Sequence, residues 1–191
     1  DYIDPMFHSR IIGAKSANLD LHFFSENTLR FLLAKNAAGC DVSVIEGAMG
    51  FYDGAGLTTW KTSAYELALV TKTPVVLVVN ARGAALSVLA VIEGFLRFRP
   101  ESGIRGVILN QCTAMTYASL SAAIEERFGI RCFGFLPRLD ECVLESRHLG
   151  LVTAGEIRDL REKMQTLAAQ AEKTLDIDAL LALAHEAEPL D

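Results

Sequence analysis

The 191-residue chain sets 18 Lys plus Arg against 24 Asp plus Glu, a formal charge of -6, and is 51% hydrophobic and 22% charged. That composition excludes a disordered tail, since half the chain is apolar and can fill one core. The acidic balance and scattered cations exclude a dedicated nucleic-acid binder; no apolar run reaches the roughly 18 to 20 residues of a membrane span, so the expectation is a soluble, cytoplasmic domain with neither nucleic acid nor membrane as partner.

In chain order, Glu26 to Ala38 reads as a helix, and Asp41-Val-Ser-Val-Ile-Glu46 as a short strand ended by Gly47. Ser63 to Thr71 is a helix opened by Ser63-Ala-Tyr-Glu66, which has the spacing of a capping box. Pro74-Val-Val-Leu-Val-Val-Asn80 is a continuous β-branched run, the pattern of a parallel strand buried on both faces. Ala84 to Phe98 and Tyr117 to Phe128 read as helices around a third strand, Ile104 to Asn110, and a fourth follows from Ile130 to Leu136. Farther on, Ile157, Leu160, Met164, Leu167, Ala171 and Leu175 recur at three- and four-residue steps on a long charged helix, a stripe read as core packing. Asp176 caps a last short helix, and residues 186–191 read as the opening of a linker. This alternation predicts right-handed βαβ units: an α/β fold with a three-layer open sheet, mostly parallel, and helices on both faces.

Cys40, Cys112, Cys132 and Cys142 lie far apart, with no C-x-x-C pair, and are read as reduced thiols rather than disulfides or metal ligands. The first residue is Asp1, not Met, and sequence that reads as functional starts there, so the chain is expected to have lost its beginning.

In such sheets ligands bind beyond the carboxyl ends of the strands, so the residues after each apolar run are the ones that matter. These are Glu46-Gly-Ala-Met-Gly-Phe-Tyr-Asp53-Gly54, Asn80-Ala-Arg82-Gly83, Asn110-Gln111 and Pro137-Arg138. A carboxylate directly after a strand is costly unless it meets a cation, and Glu46 is placed to hold Mg²⁺ on a nucleotide phosphate; a helix-capping glutamate is the alternative. Asp1, Asp4, Asp20, Glu46 and Asp53 all stand near strand ends or turns. Either a cation or basic group gathers them, or Asp-Pro and Asn18-Leu-Asp20 are simply turn formers. No G-x-x-x-x-G-K-[ST] phosphate loop occurs, Trp60 standing where its second glycine belongs in Gly56 to Thr62. No nucleophile elbow occurs either, and His148 is an isolated candidate base.

Asp1-Tyr-Ile-Asp-Pro-Met-Phe-His8, Asn18-Leu-Asp20, Val44-Ile-Glu-Gly-Ala-Met-Gly-Phe-Tyr-Asp-Gly54, Pro74-Val-Val-Leu-Val-Val79 and Ser146-Arg-His-Leu-Gly-Leu151 occur in that order. Together they resemble the synthetase domain of the cobyrinic acid a,c-diamide synthases, within the dethiobiotin-synthetase-like P-loop NTPase group. The resemblance implies an ATP-dependent ligase of cobalamin biosynthesis. It would amidate the a and c acetate side chains of cobyrinic or hydrogenobyrinic acid through acyl phosphates, with glutamine-derived ammonia. It assigns Glu46, with Asp20, to Mg²⁺; Asp4, Asp20 and Asp53 to the reacting centre; Asp1, Tyr2 and Ile3 to the corrinoid pocket; and Asn110 to the adenine edge. It further implies a P-loop ahead of Asp1, a glutamine amidotransferase domain after Asp191, residues 1–185 as the central part of the ligase domain, inactivity of this part alone, and room for a homodimer. Asn80 departs from the aspartate expected in many relatives. Related ligases (dethiobiotin synthetase, cobyric acid synthase, nickel-sirohydrochlorin a,c-diamide synthase) and a non-catalytic ParA/MinD-like module are the alternatives.

Overall fold

A computed structural model describes residue 5, residues 7–143 and residues 154–190, the first four of that last stretch through their backbone only. Helical turns at His8–Ile12 and Asp140–Cys142 join six helices: α1 (Glu26–Ala37), α2 (Ala64–Val70), α3 (Ser87–Phe98), α4 (Ala114–Phe128), α5 (Ala154–Thr174) and α6 (Ile177–His185). The strands are β1 (Val75–Asn80), β2 (Ile104–Asn110) and β3 (Arg131–Leu136), in the order β1-β2-β3 and all parallel. The α/β class and the βαβαβ order follow the sequence pattern.

Local signals place the helix ends. Ser25, Ser63, Thr113 and Asp176 each accept a hydrogen bond from a first-turn backbone N–H of α1, α2, α4 and α6. At α2 the capping box is offset by one residue: Ser63 accepts from the Glu66 N–H, while the Glu66 carboxylate accepts from Thr62 rather than from Ser63. Thr113 starts α4 at Ala114, three residues before the sequence expectation, and Gly129, at φ 65°, closes it.

One face of the sheet carries the core. Val79, Val107, Leu109 and Cys132 pack there against Val88, Leu89 and Ile92 of α3 and Leu120 and Ile124 of α4. On the opposite face the Phe133 ring lies directly over Gly106, where any Cβ would collide with it. Phe133 is 2% exposed, at the strand against which α5 and α6 pack. Gly134, at φ 123°, forms an antiparallel bridge with Leu175, and the Asp176 N–H donates to the Phe133 carbonyl at 2.8 Å, so the α5–α6 junction closes the outer edge of β3.

Two expectations are corrected. Residues 41–46 form no strand and join no ladder among the described residues, and Val44 is 89% exposed. An apolar run becomes a strand only when a neighbour accepts its N–H groups, which its own pattern cannot supply. β1 is buried on one face, not two: Val79 is 5% exposed and Val78 60%. Covering both faces takes helices on both sides, and α3 and α4 cover one.

Candidate functional site

The carboxyl ends of the strands are level. Asn80 and Asn110 sit opposite each other in register, and hydrogen bonds continue past the strand ends, from Ala81 N–H to Asn110 O at 2.8 Å and from Cys112 N–H to Leu136 O at 3.0 Å. Each asparagine turns its side-chain oxygen back on the chain: Asn80 Oδ1 accepts from Arg82 N–H and Asn110 Oδ1 from Gln111 N–H, both at 3.0 Å. Gln111 is held at φ 55°, in the left-handed region that few non-glycine residues adopt. Beyond β3, Arg138 Nε donates to Asp140 Oδ1 at 2.6 Å.

The acidic segment from Glu46 onward is a folded loop. Glu46 is exposed and pairs with His8 Nε2 at 3.1 Å. The Asp53 N–H donates to Gly50 O at 2.8 Å, and the Asp53 carboxylate packs on Gly50 so closely that a Cβ at 50 would displace it. Gly54 N–H to Thr59 O and Ala55 N–H to Lys61 O, both 3.0 Å, fold the segment into a hairpin. Its far end is tied back by Tyr65 N–H to Phe51 O at 2.9 Å. A side chain at 54 would strike the Lys61 and Thr59 carbonyls, so glycine there is a packing requirement. Tyr52 Oη donates to the Phe95 carbonyl at 2.6 Å, and its burial pushes the phenol pKa up, reinforced by Tyr65 and opposed by Arg99.

Asp20 accepts from the His22 N–H at 2.7 Å and its carbonyl from Phe24 N–H at 3.2 Å, the turn-forming role weighed above. Asp1, Tyr2, Ile3, Asp4, His148 and the Ser146–Leu151 motif lie outside the described residues. No group of three or more His, Cys, Asp or Glu able to hold a metal occurs among the described residues. Mg²⁺ normally takes one or two carboxylates, with water and substrate phosphates filling its octahedron, so the exposed Glu46 carboxylate and half-buried Asp20 have the chemistry for that ion. Cys132 and Cys112 are poor nucleophiles: burial, with Glu125 adding to it, pushes Cys132 up to about 12, and burial also raises Cys112.

Sequence reasoning gave no role to His8, Tyr52 or Arg99. The His8–Glu46 contact joins residues 38 apart, and only the place of His8 in the family-like opening hinted at it. A cavity of about 240 Å³, lined by Leu69, Lys72, Pro74, Ser102, Arg105 and Leu183, lies at the amino ends of β1 and β2, the end opposite Asn80 and Asn110.

A parallel sheet with its polar strand ends on one rim and helices packed against it defines an α/β domain, the architecture in which ligands bind beyond the carboxyl ends of the strands. Residues 13–146 match the family model described as AAA domain, and the chain belongs to that family. It is 38% identical over 192 residues to a protein of Thermoplasma acidophilum named cobyrinate a,c-diamide synthase, covering all of this chain and 42% of the relative. Proteins of the same name from Caldanaerobacter subterraneus subsp. tengcongensis and Fusobacterium nucleatum subsp. nucleatum are 41% and 37% identical, over 96% and 97% of this chain and 40% and 42% of their own. The chain thus spans about two-fifths of the length of these curated relatives. No solved structure matches it significantly. Among the described residues no helix is long and apolar enough to cross a membrane.

Proposed function

We propose that the chain is the central part of an ATP-dependent amide ligase that amidates the a and c acetate carboxylates of cobyrinic or hydrogenobyrinic acid. The observation that carries this reading is the glycine-braced acidic loop, Glu46 to Gly54, in a chain matched end to end by relatives named for that reaction. The phosphate cradle and the amidotransferase domain that releases ammonia from glutamine belong, on this reading, to parts of the protein outside these 191 residues.

Bound Mg²⁺–ATP supplies a phosphoryl group with its charge partly neutralised. The chain's own task is then alignment, because a carboxylate attacking phosphorus needs positioning and electrostatic support more than a covalent nucleophile. Glu46 holds the metal, with Asp20 assisting; His8, at 3.1 Å, orients the Glu46 carboxylate. Asp53 and Asp4 stand at the reacting centre. Asp1, Tyr2 and Ile3 line the corrinoid pocket. Asn110 offers its amide N–H groups, which make no hydrogen bond among the described residues, to the adenine edge.

The test is glutamine-dependent diamide formation by the intact enzyme carrying Glu46→Gln. Removing a charged metal ligand is expected to lower turnover by roughly 100-fold or more, in line with losses of preorganised electrostatic groups; near-normal turnover defeats the metal role. Offering dethiobiotin, cobyric acid and nickel-sirohydrochlorin pathway substrates to the unaltered enzyme separates the ligase types.

A further inference from the structure

We propose that Arg99 is a positioning residue: from the end of α3 it clamps the acidic loop and so fixes Asp53, a role that rests on the ligase reading above for the importance of Asp53. Pro100 cannot continue the helix, so the chain leaves α3 at Arg99 in an extended conformation, φ -135° and ψ 137°. The Arg99 guanidinium carbon lies 4.4 Å from the Trp60 ring centroid and 5.7 Å from that of Tyr65. Its Nε is buried with no hydrogen-bond partner among the described residues, so the aromatic surfaces, not a hydrogen bond there, hold it.

Trp60 and Tyr65 are the right residues to grip. Trp60 lies on the returning limb of the hairpin between Thr59 and Lys61, whose carbonyls accept from Gly54 and Ala55, and Tyr65 donates from its backbone to Phe51. The outgoing limb is gripped by the same helix end: Tyr52 stacks on Phe95 at 5.8 Å, meets Phe98 at 4.9 Å and donates to the Phe95 carbonyl. Asp53 is the next residue. Its backbone is therefore set between the Tyr52 anchor and the Gly54 hairpin, and both lead to the last turn of α3. A planar guanidinium spans two rings as the compact lysine ammonium does not.

The test compares Arg99→Ala, Arg99→Lys, Asp53→Asn and the Arg99→Ala/Asp53→Asn double variant in the intact enzyme, by steady-state kinetics and backbone amide exchange. A displacement of about 1 Å at a catalytic group costs up to about 100-fold. Arg99→Ala is thus expected to lower kcat by roughly 10- to 100-fold with KM for ATP and corrinoid within about twofold. Arg99→Lys falls between, and carries the test if the alanine variant fails to fold. Exchange at Gly54, Ala55 and Tyr65 should rise at least about tenfold while β2 stays protected. If Arg99 acts through Asp53, the double variant is no slower than Asp53→Asn. Unchanged loop exchange overturns the proposal, and so, where Asp53→Asn is itself slow, do faster exchange with full kcat and multiplying losses in the double variant. Full turnover of Asp53→Asn defeats the role of Asp53 in the ligase reading, while faster loop exchange in Arg99→Ala still upholds the clamp.

Discussion

β1 and β3 are the two outer strands of one sheet, and they meet solvent differently. β3 has its edge closed by the Gly134–Leu175 bridge and its outer face covered, with Phe133 over Gly106. β1 is the more apolar run, yet Val78 is 60% exposed and no strand pairs with its outer edge among the described residues. Burial therefore follows the partners a strand finds, not its own hydrophobicity. The contrast also bears on residues 41–46: Val44 is exposed, and the run that leads into Glu46 pairs with no strand among the described residues.

The largest expected effect removes the closure of β3. Gly134→Ala forces a Cβ into the Thr174 carbonyl at φ 123°, and strain of that kind costs on the order of 3 kcal/mol. Urea unfolding should show the loss, and amide exchange should rise at Asp176, whose N–H donates to Phe133; an unchanged midpoint contradicts the claim that the junction sits tightly on β3.

A smaller effect sharpens the contrast within β1, where two adjacent valines point to opposite faces. Val79→Ala, in the core, should cost about 2 kcal/mol, and Val78→Ala less than about 0.5 kcal/mol. Equal costs, measured by the same melts on this chain, mean that the outer face of β1 is covered after all.

The smallest effect concerns the helical layer shared by both strands. Glu93 of α3 accepts from Arg127 of α4 and from Arg97, both at 2.9 Å; the Arg127 hydrogen bond leads in holding its pKa below the usual carboxylate value, against some desolvation. A depressed folded pKa gives stability that is present above the unfolded value and lost as pH falls through the folded one. Glu93→Gln should thus lower the urea midpoint slightly at pH 7, and the deficit should fade as pH falls through the depressed native value. A deficit independent of pH argues for lost packing instead.

Much of this was legible in advance because the signals are local. The caps at Ser63 and Asp176, the strands at 75–80 and 104–110, and the acidic loop with its glycines are read within a few residues of sequence. Trp60 was visible only as a residue that breaks a phosphate-loop pattern. Its use as a ring under Arg99, 39 positions away, has no local signature. The same holds for His8 against Glu46.

The sequence alone determined the α/β order, most helix ends and the clustering of polar residues after apolar runs, because hydrophobic period, capping chemistry and turn residues act over one or two turns of chain. Only the tertiary structure decided which apolar runs are buried, which edge is closed, and how the acidic loop is held. Those outcomes depend on groups far apart in the chain meeting in space, and a strand's own residues carry no record of the neighbour that will complete it.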